Sequence, residues 1–425
     1  MANRRDHGGR NDEDGHMGRF LRGRVETTTE MHRTTRYEIF FDLVFVFALT
    51  RITAYMAGHT SPLTLLQGLV VLLLLWISWL IYAWLGNQAR ADIGLIRAGT
   101  TAVMGPIFLI AVVIPNVWEP SPGPRLILVL SYLVVRAVHL ALYRRAAEGD
   151  RRLHRTLRIY TATTALSWIP LVLGAVLGGG AQLLLWTVAV AVDFAGGLVA
   201  SRISGWPLRS SEYFTERHTL VVIIALGETL ISVGAGIGSE MINGPTMLAA
   251  LLTLVVTVCL FRLYMLNSVA AGEALMAERG PRRDRLAANA YSDGHFALVT
   301  GTIYLALGVH EVIAPLAHHR PWHAAESGLA WISAVALFGG VALYLAGEVL
   351  FRGLSVRSVS PAQLLAPAVA LALLPAGRYL PGLVALGLLA TFLVVLVGYE
   401  RVFGAGRAAH PSGSEAEVGP SADHR

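Results

Sequence analysis

Glu38-Ile39-Phe40-Phe41-Asp42-Leu43-Val44-Phe45-Val46-Phe47-Ala48-Leu49 is the stretch on which the reading of this chain turns. It follows an arginine-rich segment and places a carboxylate, Asp42, inside an apolar run suited to lipid. Comparable runs recur along 425 residues that are 54% hydrophobic and 15% charged, with a mean hydropathy of +0.56. That balance excludes an ordinary soluble domain. The runs reach about 18 residues or more, enough to cross a hydrocarbon core of roughly 30 Å as helices. They are too long and too uniformly apolar for barrel strands. The predicted fold is therefore all-α: a polytopic helical membrane protein of about twelve transmembrane helices.

The predicted spans cover residues 39–57, 63–85, 95–117, 126–144, 157–177, 181–201, 214–238, 246–271, 291–316, 327–351, 360–376 and 381–400. The last two are separated only by Gly377–Leu380, and a re-entrant pair is the alternative there. Around a transmembrane domain of residues 37–403 lie two polar tails, 1–36 and 404–425, without apolar periodicity and predicted to be disordered. No signal peptide is expected before the first span, since residues 1–37 are polar throughout. Leu43–Arg51 resembles Leu220–Glu228, and Tyr132–Arg136 resembles Tyr344–Glu348, which suggests a parallel six-plus-six duplication; chance likeness of apolar segments is the competing explanation.

The net charge of +6 suggests nucleic acid only until the basic residues, all arginines, are placed. They crowd the N-terminal tail and alternate loops, while Gly58–Pro62, Gly178–Gly180 and Ser239–Pro245 have none. Arg125, Arg320 and Arg378 are the exceptions. Such alternation predicts a bacterial plasma-membrane protein with both termini cytoplasmic and no nucleic-acid partner. The single cysteine, Cys259, excludes an intrachain disulfide or thiolate cluster. Glu311, His318, His319 and His323 around one loop match no zinc spacing, so no metal and no cofactor is expected. No serine–histidine–acid triad, Walker sequence or HExxH is present.

Function is sought in the charges within apolar runs: Asp42, Arg97, Arg136, Asp193, Glu228 and Arg262. Counting helix rise from flanking charges places Asp42 about 9 Å, Asp193 about 14 Å and Glu228 about 18 Å inside the membrane. Each costs on the order of 2.5–3.5 kcal/mol near a helix centre unless paired or wet. The six are thus expected to converge in one pocket in the cytoplasmic half. Glu38 shares a helix face with Asp42, and Arg136, His139 and Tyr143 form a polar stripe. Glu216, Arg217, His295 and Glu348 extend the set. Glu216–Arg217 and Glu348–Arg352 also suit interfacial pairs, and Asp42–Arg97 a lock between two helices.

Tyr37-Glu-Ile-Phe-Phe-Asp-Leu-Val-Phe-Val-Phe-Ala48 and Glu216-Arg-His-Thr-Leu-Val-Val-Ile-Ile-Ala-Leu-Gly-Glu-Thr229, together with Tyr291-Ser-Asp-Gly-His295, resemble the bacterial low temperature requirement A family over residues 30–400. The resemblance implies a multi-pass membrane protein associated with growth in the cold and brings no assigned chemistry. It carries over Glu38, Phe41, Asp42, Glu216, Arg217, Gly227 and Glu228. Members commonly show His-x-x-Glu-Arg, but here Tyr213 stands at the histidine position and His218 follows the arginine, so a relay through that histidine does not carry over.

The leading functional expectation is a secondary transporter or permease whose acids take a proton or cationic group and whose arginines are countercharges. It would act on an unidentified small molecule or ion, with membrane lipids and a second copy of the chain as further partners. The alternatives are a membrane enzyme acting on a lipid or isoprenoid through Asp193 or Glu228, and a scaffold whose charges only specify packing.

Overall fold

The computed structural model describes residues 25–240, 242–318 and 328–408. Local sequence explains where the helices begin. Thr35 and Glu38 form a reciprocal capping box at the head of α1 (Arg36–Gly58), and Ser61 with Thr64 does so for α2 (Pro62–Gln88), which also opens on proline. Beyond these lie α3 (Gly94–Val113), α4 (Pro122–Ala146), α5 (Arg151–Leu177), α6 (Gly179–Ile203), α7 (Ser211–Ile237) and α8 (Gly244–Ala277). A ninth crossing is continuous but not uniform. It runs through α9 (Gly280–Leu286), a π-helical segment (Ala287–Asp293) and α10 (Gly294–His318). The tenth comprises α11 (Trp331–Ala334), a second π-helical segment (Val335–Gly339) and α12 (Gly340–Ser355). Then come α13 (Pro361–Ala372), α14 (Leu374–Tyr379) and α15 (Gly382–Ala408).

Eleven helical segments among the described residues are long and apolar enough to cross a membrane, one fewer than the sequence suggests. The difference lies at 360–376. There the chain forms α13 and α14 with a break at Leu373, next to Pro375. The two helices still cross together. Ser360 at the head of α13 bonds Glu400 near the end of α15 (2.5 Å), whereas Gly377 in α14 accepts from Leu329 N–H (3.2 Å) just before the tenth span. Nineteen residues at helical rise cover about 28 Å, so α13 and α14 together run from one end of the bundle to the other.

α2 organises the bundle. It is apolar all round and touches α1, α4, α6, α7 and α10, as a helix without a polar face must be buried. α5 and α6 pack along their length, and α10 lies between α7 and α12. The last approach is close because a Cβ on Gly301 would meet the backbone of Tyr344 at 2.5 Å. The six-plus-six duplication is not confirmed. The first six spans are unbroken helices, while the later six contain two π-helical segments and one interrupted crossing.

One face of the bundle carries most loop arginines and both ends of the described chain. Residues 25–35, assigned with the tail in the sequence, are held there. Thr28 bonds Gly86 and Gln88, Arg90 N–H reaches Glu26, and the Ser210 hydroxyl donates to Glu30 and His32 carbonyls. Beyond this face's opposite, Arg125 is explained as a helix cap. It is buried, and its guanidinium donates to the Ala175 carbonyl (2.7 Å) at the end of α5, where Gly178 turns the chain with φ of 69° and leaves no room for a Cβ. Arg320, His319 and His323 lie outside the described residues.

Candidate functional site

The intramembrane charges do not gather in one pocket; they resolve into two ion pairs and several separate groups. In the first pair the buried Asp42 carboxylate takes both Arg217 terminal nitrogens, at 2.6 and 2.8 Å, and the Trp79 indole N–H at 2.9 Å. Arg217 also donates to the Glu38 carbonyl (3.1 Å) and lies over the Trp79 ring. Glu38 is held by its capping box and accepts from the Tyr213 hydroxyl. Tyr213, at the position where histidine was expected, therefore joins α7 to α1 as a donor. Asp42 is not paired with Arg97, which is exposed in the first turn of α3 and offers only its carbonyl, to Tyr37. Nor are Glu216 and Arg217 an interfacial pair: Glu216 turns outward to Thr34 N–H (2.9 Å) and Arg33 while Arg217 turns in.

The second pair joins α4 to α6. Arg136 Nη2 bonds Asp193 Oδ1 at 2.6 Å, and Thr164 of α5 sits between them, accepting from Arg136 (2.8 Å) and donating to Asp193 (2.9 Å). The Tyr132 hydroxyl donates to the other Asp193 oxygen (3.3 Å), and the Tyr132 and Tyr160 rings flank the guanidinium. This pair borders a cavity of about 100 Å³ among α2, α4, α5, α6 and the first π-helical segment. Its walls are mostly apolar, with Ile77, Leu80, Trp84 and Trp206 prominent, and Asp193, His139, Tyr143 and Asp293 project onto it. His139 and Tyr143 are buried, yet the Tyr143 hydroxyl has no hydrogen-bond partner among the described residues. Neither His139 nitrogen has a well-aligned one, although the Ile81 backbone lies beside the ring. Buried polar atoms left open in this way are costly, and both residues belong to the cavity wall. π-Helical turns are also frequent at functional sites, and this one supplies Asn289, Ser292 and Asp293 to the wall.

The remaining candidates stand apart. Glu228 is buried in the half of α7 away from the arginine-rich face and accepts from Thr50 of α1 at 2.6 Å, with no cation within ion-pair distance among the described residues. Glu348 reaches Arg352 only through Asn267, which donates to the carboxylate (2.5 Å) and accepts from the guanidinium (2.8 Å). His295 shares a hydrogen bond with Tyr264 (3.0 Å) and stacks on Tyr291 in a buried aromatic cluster with His218. Arg262 is exposed on the outer face of α8, in line with Leu254, Val258 and Leu266. No group of three or more His, Cys, Asp or Glu among the described residues is placed to hold a metal ion.

Sequence spacing identified Arg136, His139 and Tyr143 as one stripe, which is how they stand. It missed Thr164, Tyr160, Ser292 and Asp293 at the same site. Asp293 and Ser292 fall within Tyr291–His295, one of the stretches read as a family resemblance; Thr164 and Tyr160 sit in an ordinary apolar helix and gave no signal.

The chain is 25% identical over 338 residues to the uncharacterized protein RA0937 of Rhizobium meliloti (strain 1021), covering 77% of this chain and 79% of that relative. No solved structure matches it. The model of the bacterial low temperature requirement A protein (LtrA) family matches residues 33–398. With that span carrying both buried ion pairs and the cavity beside Asp193, the chain belongs to the LtrA family of membrane proteins.

Proposed function

We propose that this protein is a permease for a small solute, with its binding site in the cavity beside the Arg136–Asp193 pair and its arginine-rich face in the cytoplasm. The observation that carries the reading is the cavity lined by Asp193, His139 and Tyr143, where the Tyr143 hydroxyl has no hydrogen-bond partner among the described residues. A solute bearing hydrogen-bonding groups completes the site, and Arg136 holds Asp193 oriented without lining the cavity itself. The crowding of loop arginines on one face supports a cytoplasmic orientation for it. Midmembrane polar groups among many helices suit alternating access. The Asp42–Arg217 pair, wrapped by Trp79 and closed by Tyr213, fits a structural joint better than a solute site.

The test needs no named substrate. Proteoliposomes preloaded with a small-molecule extract of the source cells are placed in isotope-labelled extract, and exchanged solutes are read by mass spectrometry. Wild-type vesicles are expected to exchange at least one solute that Asp193→Asn and Tyr143→Phe vesicles do not. Identical profiles for all three and for protein-free vesicles would overturn the proposal. A membrane enzyme acting on a lipid is the second reading, favoured by the apolar walls and by Phe194, which lines the cavity and is 39% exposed. It predicts a changed lipid extract on deletion of the gene and no exchange.

A further inference from the structure

Three hollows on the arginine-rich side of the bundle are continuous by their linings. The cavity beside Asp193 shares Asn289 with a larger hollow of about 570 Å³, whose walls include Arg282, Arg285 and Arg357. It shares Ser201 and Trp206 with a third, of about 170 Å³, which carries Arg152 and Arg202 and meets the larger hollow at Arg285. A narrow, mostly apolar cavity thus adjoins a wide basic vestibule. The vestibule's size is within the range of about 300–1,000 Å³ typical of ligand sites.

The charge there is not neutralised internally. Asp284 is already engaged by Arg152 (3.2 Å) and by Leu208 N–H (3.0 Å). That leaves Glu278 and Asp293 on the walls against Arg202, Arg282, Arg285 and Arg357, none of which makes an ion pair among the described residues. Arg357 adds a second sign. It has a φ of 57°, the one positive value at a described non-glycine residue, at the end of α12 where glycine is the usual occupant. A positive φ at a non-glycine residue points to a role for its side chain.

We propose that the cavity and vestibule together bind an amphiphile with a phosphate group, the phosphate among Arg282, Arg285 and Arg357 and the hydrocarbon chain along Ile77, Leu80 and Trp84. This names the solute class for the permease reading and rests on the same cavity. Several guanidiniums around one hollow exceed the charge of a carboxylate and match a phosphate, which accepts paired N–H donors from more than one arginine. A free phosphorylated solute offers the same headgroup but leaves the apolar cavity unused. Between the two ends, Tyr143 and His139 are among the polar side chains of the cavity wall.

The full chain, purified in a maltoside detergent, is titrated with palmitoyl lysophosphatidic acid, palmitoyl lysophosphatidylcholine and inorganic phosphate, and bound species are counted by native mass spectrometry. One retained lysophosphatidic acid per chain is expected, with the choline lipid retained about tenfold less well because its added cation opposes the arginines. Arg282→Gln with Arg285→Gln should weaken retention about tenfold or more. Gly197→Leu should also abolish it. Gly197 lines the cavity and a Cβ there meets nothing within 4 Å, so the helix accepts the side chain and the cavity is filled. Equal retention of the two lipids, or retention unaffected by the arginine variants, overturns the proposal. Binding of inorganic phosphate that competes fully with the lipid and ignores Gly197→Leu assigns the site to a free phosphorylated solute instead. The same variants, reconstituted into proteoliposomes, are then assayed for solute exchange. Lipid retention without any exchange sinks the permease reading and leaves this site standing, while exchange of an uncharged solute without lipid retention does the reverse.

Discussion

Asp42→Asn is the sharpest perturbation of the fold. The carboxylate accepts three hydrogen bonds, two from Arg217 at 2.6 and 2.8 Å and one from Trp79 at 2.9 Å, and both charged partners are only 1% exposed. Asparagine preserves the shape but removes the charge and turns an N–H₂ toward the guanidinium. Leaving one member of a buried pair uncompensated costs about 3–5 kcal/mol. That is roughly two to four orders of magnitude in the ratio of folded to unfolded protein. Replacing both members, Asp42→Leu with Arg217→Met, should recover most of the loss, since apolar substitutes for a whole buried pair are often neutral. The residue of the loss, about 1–3 kcal/mol, is the orphaned Trp79 indole N–H. Unfolding in mixed detergent micelles of increasing SDS fraction, followed by helical circular dichroism, gives the comparison. If Asp42→Asn unfolds within about 1 kcal/mol of wild type, or the double variant is no better than the single, the pair is not the joint described here.

Other outcomes follow from specific contacts. Gly86→Ala should destabilise the protein because the new methyl collides with the Tyr213 hydroxyl and lies 2.7 Å from Glu38 Oε1; Tyr213→Phe should relieve part of that loss in the same unfolding assay. Gly227→Ala, although at a family-type position, should be neutral or stabilising by about 0.5–1 kcal/mol, since nothing lies within 4 Å of its Cβ site and alanine favours helix. Gly301→Leu, by contrast, should prevent recovery of folded protein on a size-exclusion column, because backbone atoms of α12 block the side chain. Outside the membrane, partial burial raises the Asp92 carboxyl, but the Arg90 hydrogen bonds and charge outweigh it and hold it below the ordinary value. Its contribution is present above the unfolded pKa of about 4 and is lost as pH falls through the lower folded value. Wild type should therefore lose thermal stability below about pH 4 that Asp92→Asn does not.

The helices were legible because lipid leaves so few solutions. Runs of apolar residues bounded by Ser61-Pro62 or Asn243-Gly244-Pro245 leave little doubt about where a span starts. The broken crossing at 360–376 was less so, since Pro367, Pro375 and Gly377 each permit several backbone paths and only packing against Leu329 and Glu400 selects one. That Asp42, Asp193 and Glu228 turn inward was readable from cost alone, because short acids cannot reach the interface. Their partners were not, because the order of helices around a bundle is absent from a one-dimensional hydropathy pattern. Asp42 finds Arg217, a residue 175 positions away that sits near a helix start and looked interfacial. Arginines mislead for another reason. A long side chain snorkels, so depth alone leaves the facing of Arg97 and Arg262 undetermined, and both prove exposed.

The account rests on a water-reachable cavity beside Arg136 and Asp193 that opens on the arginine-rich face. The single native cysteine, Cys259, is buried, so a Cys259→Ala background makes site-directed thiol labelling clean. In sealed vesicles of both orientations, Ser292→Cys and Ser201→Cys should react with a membrane-impermeant maleimide from the arginine-rich side only, and adding Gly197→Leu should slow Ser292→Cys. Labelling from the opposite side, or no labelling of Ser292→Cys from either side, would contradict it.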